Sequence, residues 1–432
     1  MAYIYRSNSG ASGTTATISA WVKSVDTSVD AGVFQFKSSS NTISFYTNPN
    51  LKFRVYTGGN YSTGDLVANN RKFRDFGGWW HLVATIDTTN VTSGDRLRVY
   101  INGERHTDYT TETYPSKDQS YAQLVSGNFE LGKYSSTDRT TYLAHVHYCD
   151  GYAYNADSFG STDATTGQWK INTQPNVQYG SNGVFLKFAS AGALGTDSSG
   201  NNNTMSISGT ALQTQDNPSN NFCTWNPAKK MTVTLSNGNT TTSGNGDNGA
   251  WGTIGDNQGK WYWETQQNAG NTMMGIASED VTQEQDRSSN AAGGVYGLQD
   301  GTTYAYYRNN GSSGQSSGFA QITNSAVLCH ALDLDNGKYY LGVNGSFTNL
   351  SGTASDISAG TNPTFSGLDT TKFWFPFTEC RGNGAGCDAN FGNGFLGTTA
   401  ISSAGTNASN LGNFEYDVPA GFTAWCTKGL NE

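Results

Sequence analysis

The sequence predicts an all-β chain of two antiparallel sandwiches in tandem. One hairpin pattern occurs twice, as ATIDTTNVTSGDRLRVYINGE (Ala84 to Glu104) and ALDLDNGKYYLGVNGS (Ala331 to Ser346). Each copy has an apolar strand ending in Asp, a polar turn, a second alternating strand and then Asn-Gly. No segment keeps helical periodicity over about ten residues, so under about a tenth of the chain is expected to be helical. The best helical candidate is one turn near NADSFG, Asn155 to Gly160. Charged residues are only 14% of the 432, against about 25% in an average protein. Gly, with 53 residues, takes up part of the difference while Pro is scarce at 8, a composition of strands joined by polar turns.

In RLRVYI, Leu97, Val99 and Ile101 share one face while Arg96, Arg98 and Tyr100 share the other. The same alternation groups Tyr339, Leu341 and Val343 in KYYLGV. Asn102-Gly103 and Asn344-Gly345 accept the positive φ of a two-residue hairpin turn. Asp335-Asn336-Gly337 serves the preceding hairpin of the second copy, and Thr88 to Arg96 is the longer counterpart in the first. TQDNPSNNFCTWNPAKK, residues 214–230, is a run of turn formers without alternation and reads as a linker that packs through Phe222 and Trp225. It separates a sandwich at residues 1–213 from another at 231–432. The 10 Trp, 23 Tyr and 21 Phe are enough to fill two cores, so disorder is not expected.

Net charge is −9 and no basic cluster exceeds Lys229-Lys230, which argues against nucleic-acid binding. No apolar run approaches the roughly 18 residues needed to span a bilayer. The first residues, MAYIYRSNSGASGTT, do not read as a signal peptide, so synthesis in a cytoplasm without export by the general route is expected. Six scattered cysteines lack metal-ligand spacing. Only Cys380 and Cys387 could close a small loop, and free thiols are the expectation.

Several motifs resemble known families. TISAWVK (Thr17 to Lys23), GGWWHLVATID (Gly77 to Asp87), RLRVYINGE and YLAHVHYCDGYAY (Tyr142 to Tyr154) resemble the laminin-G-like branch of the concanavalin A-like jelly rolls. The later GVFLKFASAGALGTDSSGNNNTMSISG (Gly183 to Gly209) is similar to a strand that opens many such domains, so a permuted or extra strand is expected there. GKWYWET (Gly259 to Thr265), MGIAS, YGLQDGTTY, ALDLDNGKYYLGVNG, FWFPFTEC and NFG resemble, in order, a SPRY domain, which is also a concanavalin A-like sandwich. The combination, with FGSTDATTGQWKIN and the final VPAGFTAWCTKGL, resembles fibre or receptor-binding-like virion proteins of tailed phages, particularly marine ones. The resemblance implies a non-enzymatic protein at a virion surface that binds a host-cell glycan or outer-membrane protein. The alternative is a capsid decoration or fibre subunit that binds other virion proteins, and a polysaccharide-degrading enzyme is a distant third. Homo-oligomers, with a trimer favoured, are expected because sandwich edges must be covered and few charges are available to blunt them.

Retaining glycosidases need two carboxyl groups about 5–5.5 Å apart. The nearest candidates, Glu279/Asp280 and Glu284/Asp286, lie in a polar loop and read as solvated. His145 and His147, two apart on a strand, could share a face as metal ligands, but a structural role is favoured because no third ligand stands nearby. His330 reads as a buried, hydrogen-bonded core residue. No cofactor is expected. The laminin-G-like resemblance implies calcium as an alternative, with SGNGDNG (Ser243 to Gly249) and DSSGNNN (Asp197 to Asn203) the oxygen-rich segments, although both are rich in turn formers. Trp79, Trp80, Trp261, Trp263 and Trp374 are expected in the cores. Ligand contacts are expected from loop aromatics and arginines: Tyr61 and Arg71 in the first half, and Arg287, Tyr307, Arg308 and Arg381 in the second.

Overall fold

Strands hold 48% of the residues and helical turns 3%. The chain is all-β, with concanavalin A-like antiparallel sandwiches. The computed structural model describes residues 2–431 except 26–30, 48–49, 62, 74, 136, 139–140, 283–293, 300–304 and 325. It divides into two units, Met1–Gln213 and Thr214–Glu432.

In the first unit an eight-stranded sheet runs, edge to edge, Tyr109–Thr113, Asp65–Lys72, Asn50–Tyr56, Asn41–Thr47, Ala31–Ser38, Asn128–Leu131, Tyr3–Ser7, Ser206–Ser208. The opposing six-stranded sheet runs Val184–Leu186, Thr141–Asp150, Thr15–Ser24, Trp80–Asp87, Leu97–Ile101, Glu104–Arg105. Alternation sets the inner faces. Phe34, Phe36, Phe45, Phe53 and Leu66 meet Ile18, Leu82, Ile86 and Val99 in one core. Residues 184–208 supply an edge strand to each sheet, which accounts for the additional strand signal at the end of this half.

The outer face of the six-stranded sheet is also buried. Residues 152–179 lie across it and bond its polar side chains. Thr17 Oγ1 donates to the Tyr152 carbonyl and accepts from the Tyr154 N–H, both at 2.8 Å, while Thr85 donates to the Tyr154 carbonyl. The Trp169 indole donates to His81 Nδ1 at 2.9 Å, and His81 Nε2 meets Ser19 Oγ at 2.9 Å. His147 Nδ1 meets the Tyr179 hydroxyl at 2.9 Å and its ring stacks on Phe185. Burial pushes His81 down to about 3 and His147 well below its ordinary value.

In the second unit a seven-stranded sheet runs Trp225–Lys230, Asn248–Gly252, Trp374–Cys380, Thr272–Ser278, Val295–Gln299, Ala305–Asn309, Ser312–Ser316. The other sheet is built on Thr234–Ser236, Thr241–Ser243, Gly386–Asn390, Lys260–Ala269, Val327–Asp333, Lys338–Val343 and Ser346–Thr348. Trp261, Trp263 and Trp374 fill the space between the sheets, with Trp425 stacked on Trp261 at 4.3 Å. His330 is buried, its nitrogens 2.7 Å from Thr265 Oγ1 and 2.6 Å from the Tyr339 hydroxyl. The six cysteines are buried thiols with no disulfide among them, Cys380 and Cys387 included.

Two features depart from expectation. The segment 214–230 is not a free connector, because Trp225–Lys230 pairs with Asn248–Gly252 and Trp225 is fully buried against Phe391. Its Asn, Pro and Lys residues suit an edge strand, where a proline costs no ladder bond. Trp79 and Trp80 are only half-buried, so they lie at the rim of their core rather than inside it.

The repeated Asn-Gly turns share a geometry. Asn102 and Gly103 have φ of 47° and 87°, and Asn344 and Gly345 have 50° and 80°. Each asparagine also ties its turn to a third strand. Asn102 Oδ1 accepts from the His81 N–H, and the Asn102 N–H donates to the His81 carbonyl, both at 2.8 Å. Asn344 makes the same two bonds to Val327, at 2.9 and 2.8 Å. Asparagine fits because it tolerates left-handed backbone and offers a side-chain acceptor.

The strand Lys260–Ala269 carries a buried carboxylate, Glu264. Oε1 accepts from the Tyr262 hydroxyl at 3.0 Å and the Tyr416 N–H at 2.8 Å, and Oε2 from Asn390 Nδ2 at 3.2 Å and the Glu415 N–H at 2.9 Å. Burial raises its pKa against the pull of these donors.

Asn344→Ala is expected to lower stability by about 1–3 kcal/mol in urea unfolding, because it strands a backbone N–H and places alanine in left-handed backbone. Asn344→Asp, which keeps the acceptor, should lose less. Acid should weaken the first unit before the second. A histidine whose folded pKa is depressed contributes stability that is intact above about pH 6.5 and falls as pH drops below it. Each buried histidine therefore costs about 2 kcal/mol between pH 6.5 and 5. The first unit has His81 and His147 and the second has His330 alone, while among the described residues each unit has one carboxyl raised by burial, Asp65 and Glu264, acting with the opposite sign. Calorimetric scans at about pH 7.5 and pH 5 should show the larger fall in melting temperature for the first unit.

Candidate functional site

On the seven-stranded sheet, Met274, Ile276, Leu298 and Ala305 face the core. The alternate residues face outward, and one row of them crosses four strands: Met273 opposite Gln299, Gln299 opposite Tyr306, and Tyr306 opposite Gln315. In the adjoining row Arg308 stands between Ser313 and Gly297, which brings no side chain. Asn271 and Arg381 close one end, joined by the Arg381 N–H donating to the Asn271 carbonyl at 2.8 Å. Together they line a groove of about 500 Å³, within the roughly 300–1,000 Å³ typical of small-ligand pockets. Tyr306 is 40% exposed, and its hydroxyl accepts from Gln315 Nε2 at 3.2 Å. Arg308 is nearly buried. Asp247 pairs with Arg381 Nε at 3.2 Å and orients that guanidinium.

Of the six expected contact residues, the structure gathers Tyr307, Arg308 and Arg381 at this groove. The exposed aromatic, however, is Tyr306. The Tyr307 ring turns toward the core, 6.5 Å from Phe365, and lies so close to Gly314 that a Cβ there would come within 2.5 Å of its hydroxyl. Alternation along Ala305–Asn309 carries this information, since Ala305 and Tyr307 share one face and Tyr306 and Arg308 the other. Arg287, Glu284 and Asp286 lie outside the described residues. Tyr61 and Arg71 belong to the first unit, where Arg54 sits over the Tyr61 ring at 4.5 Å and Arg71 over Trp80 at 5.1 Å.

A smaller cavity of about 260 Å³ in the first unit is lined by residues that include Asp95, Arg105, His106, Glu112 and Tyr114. Its charged groups are largely matched with one another, Arg105 to Asp95 at 2.7 Å and the Tyr114 hydroxyl to Glu112 at 2.5 Å.

The other candidates have structural partners. Glu279 accepts from the Phe373 N–H at 3.2 Å, and Asp280 pairs with Lys372 at 2.6 Å. A β-bulge at His145, with φ of 45°, breaks the strict alternation that would align it with His147. The Asp197 oxygens accept from the N–H groups of Phe185, Ser199 and Asn203 and from the Ser199 hydroxyl, so this carboxylate organises a turn. In SGNGDNG, Asn245 Oδ1 accepts from the Gly384 N–H, and Asp247 holds Arg381. Among the described residues no group of three or more His, Cys, Asp or Glu is placed to hold a metal ion.

Tyr307→Ala should lower the melting temperature by several degrees, because it removes a ring packed on the core side. Tyr306→Ala should leave it within about one degree. Thermal melts of the two variants check this assignment of faces.

Residues 2–147 match the model of Laminin_G_3, the concanavalin A-like lectin/glucanases superfamily. None of the curated proteins matches the chain. Similar solved structures include the TRIM65 PSpry domain, at 12% identity and TM-score 0.30, covering 39% of this chain and 91% of that one. The SPRY domain of human HERC1 is similar at 15% identity and TM-score 0.27, covering 38% and 96%. The chain therefore contains a laminin-G-like concanavalin A-type domain and has SPRY domains among its structural neighbours.

Proposed function

We propose that this chain is a non-catalytic protein of a tailed-phage virion surface that binds a host-cell receptor, a glycan or an outer-membrane protein, through the groove of its second unit. The observation that carries the reading is the groove itself. An exposed tyrosine, two arginines and three side-chain amides converge on a rigid sheet face. Aromatics and arginines dominate recognition surfaces, and a hydrogen-bonded sheet holds them without the ordering cost of a mobile loop. The sequence resemblance to phage fibre proteins supports the virion setting by analogy. Several copies per particle, as in a trimer, would strengthen weak contacts by raising effective concentration.

The test is adsorption of phage carrying Tyr306→Ala with Arg381→Ala. Adsorption to host cells should fall on the order of tenfold or more while particles assemble normally. Unchanged adsorption would remove the groove from receptor binding. Normal adsorption by particles lacking the protein would replace this reading with a structural role in the virion.

A further inference from the structure

We infer that Asn383 is a site of spontaneous covalent modification, deamidation through a succinimide, and that Asn245 restrains the reaction. The sequence contains ten Asn-Gly pairs, the dipeptide in which this chemistry is easiest, because glycine presents no Cβ to obstruct attack by its nitrogen on the preceding carboxamide. Ring closure needs the asparagine side chain free to turn toward that nitrogen, so a carboxamide held by hydrogen bonds is protected. Seven of the ten accept a backbone N–H, as Asn102 and Asn344 do in the repeated turns. Asn237 and Asn336 donate instead, to Thr241 Oγ1 and to the Asp333 carboxylate. Asn383 is exposed, and its carboxamide alone among the ten makes no hydrogen bond among the described residues.

Asn383 stands in the connection between Trp374–Cys380 and Gly386–Asn390, in the run Arg381-Gly382-Asn383-Gly384. Glycine on both sides leaves the backbone free to bring the reacting atoms together. No heavy atom lies within 4 Å of where a Gly384 Cβ would be, so water has access to the ring that forms. One contact opposes the reaction. The Gly384 N–H donates to Asn245 Oδ1 at 2.6 Å, which engages the proton that must leave the attacking nitrogen.

The step balances without a cofactor. The Gly384 nitrogen gives its proton to hydroxide or a buffer base and bonds to Asn383 Cγ. The Cγ–Nδ2 bond breaks, and Nδ2 takes up a proton and leaves as ammonia. Water then opens the ring at Cγ, giving aspartate, or at the main-chain carbonyl carbon of residue 383, giving isoaspartate. One water is consumed, one ammonia is released and nothing is oxidised. Either product places a new carboxylate two residues from Arg381, and isoaspartate also lengthens the connection between the two sheets by one backbone carbon.

The experiment incubates the intact chain in mildly alkaline and mildly acidic buffer and follows every Asn-Gly pair by peptide mass spectrometry. Methylation by an isoaspartyl-specific methyltransferase is the second readout. Product should accumulate at residue 383 ahead of the other nine pairs, and faster in the alkaline buffer, where the nitrogen loses its proton more readily. Asn383→Gln, which must close a larger ring, should remove most of the methyl acceptance. Asn245→Ala should speed the reaction at residue 383 about fivefold, the worth of one net hydrogen bond, with thermal melts showing that both variants stay folded. An unmodified Asn383 after prolonged alkaline incubation, or equal product at Asn102 or Asn344, would overturn the site. An unchanged or slower reaction in Asn245→Ala would overturn the restraint by Asn245.

Discussion

A backbone N–H that enters a sheet beside a tight turn needs an acceptor, and in both units one asparagine provides it. Asn102 holds the start of the strand Trp80–Asp87, and Asn344 holds the start of Val327–Asp333, each through a reciprocal pair of bonds. The position demands left-handed backbone, which excludes most residues, and a side-chain oxygen, which excludes glycine. The glycine that follows is constrained from outside as well. A Cβ at Gly103 would come within 2.4 Å of Trp169, and one at Gly345 within 2.8 Å of Tyr416. Each turn is thus the point where three strands and a distant covering segment are registered against one another. The pattern recurs because two separate sandwiches meet the same geometric requirement.

Much of this architecture was legible in the sequence because its causes are local. Alternation identifies Leu97, Val99 and Ile101 as an inner face, and Asn-Gly fixes the hairpin. What escaped depends on burial from a distance. Residues 152–179 cover a sheet face that includes Ser19 and His81, and nothing in the local pattern of those strands announces a second buried side. Trp225–Lys230 looks like a connector because a polar edge strand and a linker have similar compositions. Trp79 and Trp80 resemble core residues by motif, yet they stand at the start of the strand Trp80–Asp87 rather than at its middle. At the groove, loop chemistry drew attention to Tyr307 and Arg308, whereas strand alternation applied to the same residues points to Tyr306.

A groove built on strands differs physically from one built on loops. The ladder from Met273 to Gln315 fixes the spacing of successive side chains at the distance between neighbouring strands. Its chemistry can then change by substitution at outward positions while the inward alternates, such as Leu298 and Ala305, keep the core intact. The groove and the inner core occupy opposite faces of the same strands, and Met273 ties the groove to a second buried cluster on the outward side.

Glu264 has a consequence for the order of synthesis. Its carboxylate is completed by the N–H groups of Glu415 and Tyr416, which emerge from the ribosome about 150 residues after it. Until then the strand that carries it holds an acid with nowhere dry to go. It must keep that acid hydrated or protonated, and the sheet cannot seal around it. The second unit is therefore barred from closing strand by strand as it is made, and it closes as a whole once its last turns arrive. A chain interrupted before Tyr416 would present an incomplete, wet sheet rather than a smaller folded domain, a form that cellular proteolysis can distinguish from the finished product.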